Sequence, residues 1–271
     1  MTLSIKNSEF NKLVEYIKIN YGINLSNKRH LIEGRLNKVL ISKGYDSYEE
    51  YLEQAYENKT ELKELINFLT TNHTYFMREP EHFKYIRDVI LPYLEKNLAE
   101  KDLRIWSSAC STGEEPYTLA MIIADYFENR QSGWDTKILA TDISNRALEK
   151  AKRGIYEIDE IEKLPETWQK KYFKKIGSSQ YEIIKKIKNE VIFAPYNLMQ
   201  ENMPFKKRFH LIMCRNVMIY FEKETKESLI KRFYNHTENG GYLIIGLSES
   251  FDKNITDYKF LRPSIFRKEM R

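Results

Sequence analysis

Short apolar segments alternate with amphipathic segments from residue 103 onward, and this alternation restricts the fold more than any other feature. The apolar segments read as strands: LRIWSSA, TKILATDIS, VIFAPYNL, FHLIMCRN and GGYLIIGLSE. Helical periodicity fills much of the sequence between them, at 116–126, 146–152 and 223–235. Strands that alternate with helices predict a parallel, doubly wound α/β sheet, in which ligands bind at the carboxyl ends of the strands.

The first 70 residues have the period of helices and no strand signal. One buried helix face is marked by the apolar residues Phe10, Leu13, Val14 and Ile17. Similar patterns occupy 31–40, 48–55 and 61–69, and Asp46 or Ser47 is the expected N-cap of the third helix. We therefore predict an all-helical N-terminal domain over residues 1–70.

Two further boundaries follow from changes in composition. The segment TTNHTYFMREP is polar, then aromatic, and lacks the Gly and Ser typical of a plain linker. We predict that residues 71–80 form a linker that contributes to a site, and that residues 81–271 form the α/β domain. Gly177-Ser178-Ser179 lies between two runs that can pair as a hairpin, which predicts an antiparallel β-subdomain inserted over residues 155–192.

Composition excludes several classes of protein. A net charge of +5 over 271 residues is too small to indicate nucleic acid. Cys110 and Cys214 lie at the ends of predicted strands, so we expect neither a disulfide nor a metal site. The N-terminus lacks a targeting pattern, and no apolar run is long enough for a membrane span, so we expect a cytoplasmic protein with no membrane insertion.

The turn after the first strand, Ala109-Cys110-Ser111-Thr112-Gly113-Glu114, is the first candidate site. Its small residues, Ala109 and Gly113 among them, let a ligand approach the backbone, and the helix that follows offers free N–H groups. Pro116 supports a helix start here. An ordinary strand-to-helix turn is the alternative, because no complete G-x-G-x-x-G motif is present.

The acids Glu114 and Glu115 indicate the type of ligand. Two carboxylates at this helix start would repel a dinucleotide pyrophosphate. They would attract S-adenosylmethionine (SAM), which carries an ammonium and a sulfonium. Simple capping of the helix dipole remains the alternative for either residue.

Polar residues close three later strands. Asp142 ends the second strand, where nucleotide-binding sheets place the acceptor for ribose hydroxyls. Asn197 and Leu198 close the third strand and are candidates for contact with an adenine edge. The fourth strand ends in residues 214–220, which are candidates for contact with the substrate. Helix and loop capping are the alternatives for Asp142, Asn197 and Asn216.

Four segments together resemble the CheR-type chemotaxis receptor methyltransferases: NHTYFMREPEHF, WSSACSTGEEPYTLAM, ATDISNRALEKAKRGIY and FHLIMCRNVMIYFEKET. The resemblance implies a Rossmann-like SAM-dependent methyltransferase domain with a small all-helical N-terminal domain and an inserted antiparallel β-subdomain. It implies methyl transfer from SAM to receptor glutamates, giving glutamyl methyl esters and S-adenosylhomocysteine.

The resemblance also implies roles for particular residues. The linker residues Asn72, Thr74 and Arg78 would fold over the cofactor, and Glu115 and Asp142 would hold its amino acid and ribose parts. The rest of the cofactor site would be formed by Asn197, Leu198, Arg215 and Asn216. Arg78 and Tyr220 match the positions proposed to act near the transferred methyl group.

The expected partner is the cytoplasmic helical bundle of chemoreceptors, bound by a monomer that is recruited to receptor arrays. The candidate contacts are the basic residues Lys28, Arg29, Arg35 and Lys38 of the second helix. A solvated helix face is the alternative for all of them.

Two features depart from the family pattern. Ser250 follows Glu249 where Asn is common, and the hairpin loop at 176–180 is short, which favours an enzyme that needs no receptor tether peptide. Two other functions stay open at this point. A nucleic-acid methyltransferase would carry an Asn/Asp-Pro-Pro-Tyr or Pro-Cys motif, which this sequence lacks, and a SAM-binding sensor would bind without turnover.

Overall fold

The N-terminal part of the computed structural model, which describes residues 3–130 and 133–270, is helical. Its helices are α1 (Asn7–Tyr21), α2 (Arg29–Lys43), α3 (Tyr48–Glu57) and α4 (Lys59–Leu69). Leu13 and Ile17 of α1 pack with Ile32 and Leu36 of α2 in one buried cluster, as the apolar period predicts. The hydroxyl of Ser47 accepts the N–H of Glu50 and caps α3. The all-helical N-terminal region is confirmed.

A helical stretch that the sequence patterns did not predict follows the linker. It contains α5 (Pro80–Tyr85), a π-helical turn (Ile86–Ile90) and α6 (Leu91–Asn97). Phe83, Ile86 and Ile90 of this stretch are buried in the core of the α/β domain. The linker is thereby fixed at its C-terminal end to the main sheet.

The α/β domain contains both the predicted strands and additional ones. In chain order the strands are β1 (Ile105–Ser107), β2 (Ile138–Asp142), β3 (Ile155–Glu157), β4 (Phe173–Lys175), β5 (Gln180–Ile183), β6 (Val191–Pro195), β7 (Phe209–Cys214), β8 (Thr237–Ile245), β9 (Tyr258–Arg262) and β10 (Ile265–Lys268). The helices are α7 (Glu114–Phe127), α8 (Asn145–Arg153), α9 (Ile158–Ile161), α10 (Glu166–Tyr172), α11 (Lys185–Lys188) and α12 (Lys223–His236). Short 3₁₀ turns occupy Met218–Tyr220 and Lys253–Ile255.

Within the described residues the main sheet has seven strands in the order β6-β2-β1-β7-β8-β10-β9. The pairs β6–β2, β2–β1, β1–β7 and β7–β8 are parallel, whereas β10 is antiparallel to both neighbours. The chain leaves β1 in one direction through β2 and β6, then returns to β7 on the other side. This reversal of strand order places a ligand crevice beyond the carboxyl ends of β1 and β7. The Rossmann-like fold is confirmed.

A second, antiparallel sheet is inserted between α8 and β6. It has the order β3-β5-β4, and β4 and β5 form the predicted hairpin around Gly177-Ser178-Ser179. The inserted antiparallel β-subdomain is confirmed. The hairpin loop is short, and independence from a receptor tether peptide stays a prediction.

Both cysteines, Cys110 and Cys214, are buried and free, as expected for residues at strand ends. Across 3–130 and 133–270, none of the helices has the length and apolar character needed to cross a membrane.

Candidate active site

One cleft opens at the carboxyl ends of β1, β2, β6 and β7, and it encloses about 1240 Å³ of empty space, part of it open to solvent. The helical domain, the linker and the sheet all contribute to its walls. The predicted site residues that line it are Lys28, Asn72, Thr74, Arg78, Ala109, Glu115, Asp142, Asn197, Leu198, Arg215, Asn216 and Tyr220. Residues from distant parts of the sequence therefore meet at one place, which is the place that the topology predicts for a ligand.

Asp142 joins the ends of the first two strands. Its carboxylate accepts the backbone N–H of Ser111 at 2.7 Å and that of Ser144 at 2.8 Å. Burial raises the pKa of this carboxyl, although the backbone N–H groups oppose the shift. Each oxygen keeps acceptor capacity toward the cleft, as a ligand with paired hydroxyls requires.

Glu115 and Glu114 have different surroundings. The Glu115 carboxylate accepts Ser107 Oγ at 2.7 Å and Arg215 Nη1 at 2.8 Å, and it lines the cleft. Glu114 does not line the cleft; it is buried and accepts a hydrogen bond from Thr112 Oγ1 at 2.7 Å. Burial raises the pKa of Glu114 to about 7. The expectation that both acids face the ligand is therefore wrong for Glu114.

Gly113 determines the backbone conformation of the turn after β1. Its φ of +100° is a left-handed conformation that disfavours side chains, and an added Cβ would lie 2.9 Å from both Ala151 Cβ and Tyr156 Oη. Gly113 is not among the residues that line the cleft. The structure thus explains why glycine occupies this position, while the predicted cofactor contact stays a prediction.

The linker crosses the mouth of the cleft. Asn72 donates through Nδ2 to Ser144 Oγ at 3.3 Å, and its carbonyl accepts Ser111 Oγ at 3.1 Å. Arg78 donates through Nη1 to the His73 carbonyl at 2.8 Å. The linker is therefore bonded to the turns after β1 and β2.

The helical domain forms the opposite wall. Tyr21, Ile23, Leu25, Leu31 and Leu69 line the cleft from this side. The side-chain amide of Asn197 donates to the Asn20 carbonyl at 2.8 Å. One polar group predicted for an adenine edge is therefore also a contact between the two domains.

The segment after β7 carries Arg215, Asn216 and Tyr220. The Arg215 side chain is only 2% exposed and forms ion pairs with Glu79 at 3.1 Å and Glu115 at 2.8 Å. Asn216 adopts a left-handed φ of +59°. Tyr220 ends a 3₁₀ turn, and its carbonyl accepts the backbone N–H of Asn24 at 2.9 Å.

Two carboxylates that sequence reasoning missed organise this segment, the buried Glu249 and the half-buried Glu79. Glu249 accepts the backbone N–H groups of Gly246 at 2.6 Å, Asn216 at 3.0 Å and Ile219 at 3.3 Å, and burial raises its pKa. Glu79 contacts Arg215 and Asn216 from the linker. The left-handed backbone of Glu79 has no sequence signal, but the proline that follows it does mark a helix start.

The four basic residues predicted to contact a partner, which are Lys28 at the N-cap of α2 and three residues within it, fall into two groups. Arg29 donates to the Ile5 carbonyl and to Asn7 Oδ1, each at 2.6 Å. Arg35 donates to the carbonyls of Phe68, Leu69 and Thr70 at 3.0–3.1 Å. Lys28 and Lys38 are exposed. The two arginines hold the helical domain and the start of the linker, so the lysines are the more available contacts for a partner.

Comparison with known proteins gives a consistent result. Residues 72–266 match the family described as CheR methyltransferase, SAM binding domain, and residues 8–70 match CheR methyltransferase, all-alpha domain. The chain is 40% identical to the chemotaxis protein methyltransferase of Borreliella burgdorferi, over 99% of this chain and 96% of that protein. It is 33% identical to the one of Salmonella typhimurium (97% and 91% covered) and 34% identical to the one of Escherichia coli (92% and 86%).

Proposed function

Because this chain belongs to the CheR methyltransferase family and is a SAM-dependent methyltransferase, we propose that it methylates glutamate side chains of chemoreceptors in chemotaxis adaptation. The products are glutamyl methyl esters and S-adenosylhomocysteine. The names of its relatives support the chemotaxis role. The choice of a carboxylate as acceptor is supported by the charges around the cleft.

The contrast between the two arginines of the cleft carries the proposal. Arg215 is neutralised by Glu79 and Glu115. Arg78 has no carboxylate partner in the described part of the chain, and its guanidinium only donates to the His73 carbonyl and lies over the Tyr75 ring. A guanidinium without a carboxylate at the mouth of the cleft is suited to bind the carboxylate of an acceptor side chain.

The residues present fit the cofactor. Glu115 and Asp142 provide the anionic groups that the ammonium of the amino acid end and the ribose hydroxyls need, and apolar side chains from the helical domain provide a wall for a flat ring. When bound, SAM supplies a methyl group on a sulfonium, which is an activated leaving group. We propose that Asn72, Thr74, Ala109, Gly113, Asn197, Leu198, Arg215 and Asn216 complete this site.

The chain's own residues then have a positioning task. A glutamate carboxylate is ionised at neutral pH, so no strong general base is needed. Arg78 orients the acceptor carboxylate, and the hydroxyl of Tyr220, a residue that lines the same cleft, helps to position it. Alignment of this kind contributes about 7–11 kcal/mol in favourable cases.

Receptor recognition is assigned to the exposed lysines of the helical domain, Lys28 and Lys38. Lys28 also lines the cleft, so a helical bundle bound there would lie next to Arg78. We propose that the protein acts as a monomer in the cytoplasm and is recruited to receptor arrays.

The test is incubation of the protein with labelled SAM and receptor membranes, followed by base treatment. Base-labile methyl groups on the receptor are expected, and Arg78→Ala should lower kcat at saturating SAM by at least about tenfold. The matched control is Arg87→Ala, which removes an exposed arginine paired with Asp88. Label in nucleic acid, or binding without transfer, would contradict the proposed function, and near-normal turnover of Arg78→Ala would contradict the role of Arg78.

A further inference from the structure

We propose that Glu79 is a positioning residue that latches the linker over the cofactor cleft and fixes the charge that Arg215 leaves on Glu115. The proposal rests on the proposed function for its consequence in catalysis. Its structural basis is independent of the acceptor and consists of four observations.

The first observation is the backbone of the linker end. Glu79 has φ +57° and ψ +66°, and Met77 also has a positive φ, so Arg78 lies between two left-handed residues that are not glycine. Such conformations persist only where surrounding contacts determine them. Pro80, directly after Glu79, is the first residue of α5, so the backbone that follows Glu79 is held in a helix.

The second observation is the set of hydrogen bonds to the Glu79 carboxylate. Oε1 accepts Asn216 Nδ2 at 3.0 Å and the backbone N–H of Leu247 at 3.3 Å, while Oε2 accepts Arg215 Nη2 at 3.1 Å. Arg215 and Asn216 follow β7, and Leu247 follows β8. One carboxylate therefore ties the linker to the ends of two strands of the main sheet.

The third observation is the sharing of Arg215. Its Nη2 contacts Glu79 and also donates to the Arg78 carbonyl, while its Nη1 contacts Glu115. Two carboxylates around one guanidinium leave a net negative charge beside the cleft. Without Glu79, Arg215 would neutralise Glu115 alone, and the ammonium group that SAM and S-adenosylhomocysteine share would meet a weaker attraction.

The fourth observation concerns the charges of Glu79 and of its neighbour His82 at neutral pH. Burial would raise the pKa of Glu79, but hydrogen bonds from Asn216 and Arg215 outweigh it and lower that pKa, so the group is ionised. The buried His82 lies 3.3 Å away, but burial and the charge of Arg215 lower its pKa to about 4. His82 is therefore neutral, and Arg215 remains the cation for Glu79.

The inference follows from these contacts together. The contacts of Glu79 fix the backbone of Arg78, the residue before it. They also fix the position of Glu115, because Arg215 contacts both carboxylates. Loss of the Glu79 carboxylate should therefore weaken cofactor binding and slow methyl transfer, without removing any group expected to contact the transferred methyl.

The experiment compares two variants with a matched control in the full chain. Glu79→Gln keeps the shape and one acceptor but removes the charge, and Glu79→Gly keeps the left-handed backbone but removes the side chain. Glu81→Gln removes an exposed carboxylate from the same helix start. S-adenosylhomocysteine affinity is measured by titration calorimetry, thermal unfolding is measured without ligand, and kcat and KM for the receptor are measured with saturating SAM.

Both Glu79 variants should weaken S-adenosylhomocysteine binding about tenfold or more, as expected for a lost charged hydrogen-bond network. They should also lower kcat with little change in KM for the receptor, and Glu81→Gln should match the wild type. If both variants unfold at a lower temperature but bind S-adenosylhomocysteine within twofold of wild type, Glu79 is merely structural and the proposal is overturned. Failure of the proposed function would show differently, as wild-type protein that binds S-adenosylhomocysteine but makes no base-labile ester.

Discussion

Adjacent carboxylates in α7 show how much one position along a helix changes the chemistry of a residue. Neighbouring helical side chains point about 100° apart. Glu115 faces the cleft and meets Arg215, whereas Glu114 faces the protein interior, where its carboxylate accepts the Thr112 hydroxyl. The sequence pair alone predicted the acidic character of this turn but could not assign the two directions.

The buried position of Glu114 has a consequence for stability. Its pKa is about 7 in the folded protein and near the ordinary value of 4.5 in the unfolded chain, so the folded state retains a proton that the unfolded chain has lost. The cost of burying this group is absent below pH 4.5, grows as the pH rises, and is complete above pH 7. Glu114→Gln removes the titration, so its stability relative to wild type should rise by roughly 3 kcal/mol between pH 4 and pH 8.

Urea unfolding at several pH values measures this difference. Glu166→Gln, at an exposed carboxylate in α10, is the control and should show no comparable trend. A stability difference between Glu114→Gln and wild type that stays flat with pH would show that Glu114 is ionised in its buried site.

The sequence predicts the residues that line the cleft better than the carboxylates that hold those residues in place. Asp142, Asn197 and Arg215 follow apolar strands, and polar residues at such places point to a ligand crevice. Glu79 and Glu249 lie in a linker and a loop, where a carboxylate is ordinarily solvated. The burial of Glu249 and the partial burial of Glu79 depend on contacts between segments far apart in sequence, which no local pattern contains.

At the scale of elements, some basic residues of α2 bind other parts of the helical domain, whereas others are exposed to solvent. The planar guanidinium of Arg35 donates to three successive carbonyls at the end of α4 and, through Nη2, to Thr71 Oγ1 at 3.1 Å. Several donors in a fixed fork suit this task better than an ammonium does. Arg35 therefore joins α2 to the point where the linker starts.

Arg35→Ala should lower the free energy of unfolding by roughly 2 kcal/mol, because the carbonyls at the end of α4 lose their donor. It should also weaken S-adenosylhomocysteine binding, since Asn72 of the linker lies next to the released segment. Lys38→Ala, on the same helix, should change neither quantity but should reduce receptor methylation in a salt-dependent way. Urea unfolding, calorimetry and the methylation assay separate these effects. The same changes in both variants would contradict the assignment of a structural role to Arg35 and a receptor contact to Lys38.

The two strands at the antiparallel edge of the main sheet that sequence reasoning missed, β9 and β10, share a cause. The sequence predicts the strands with clear apolar runs, which are β1, β2, β6, β7 and β8. β9 and β10 form an antiparallel edge that pairs with β8, and their short runs are interrupted by charged residues such as Lys259 and Arg267. A strand whose alternation is mixed with charge is stabilised by its neighbour in the sheet more than by its own sequence.

At the scale of the whole molecule, the helical domain is joined to the α/β domain around the cleft by the Asn197–Asn20 hydrogen bond and at two further places. At the first, Asn24 donates its N–H to the Tyr220 carbonyl and its Nδ2 to Glu222 Oε1 at 3.1 Å. At the second, Asn67 Oδ1 accepts Ser144 Oγ at 3.0 Å, beside Asp142. The cofactor would therefore occupy a space between two domains that already contact each other on both sides.

This arrangement predicts that cofactor binding stabilises the helical domain as well as the sheet. A ligand at 100 times its Kd stabilises the folded state by about 2.7 kcal/mol. The amides of Leu13 and Ile17 in α1 lie in the core of the helical domain, and those of Leu211 and Ile212 in β7 lie in the core of the sheet. If the cleft must empty before either domain unfolds, S-adenosylhomocysteine should slow hydrogen exchange at both sets of amides by up to about a hundredfold. Slower exchange in β7 with unchanged exchange in α1 would show instead that the helical domain opens independently, and that its residues form a wall of the cleft without contributing to cofactor affinity.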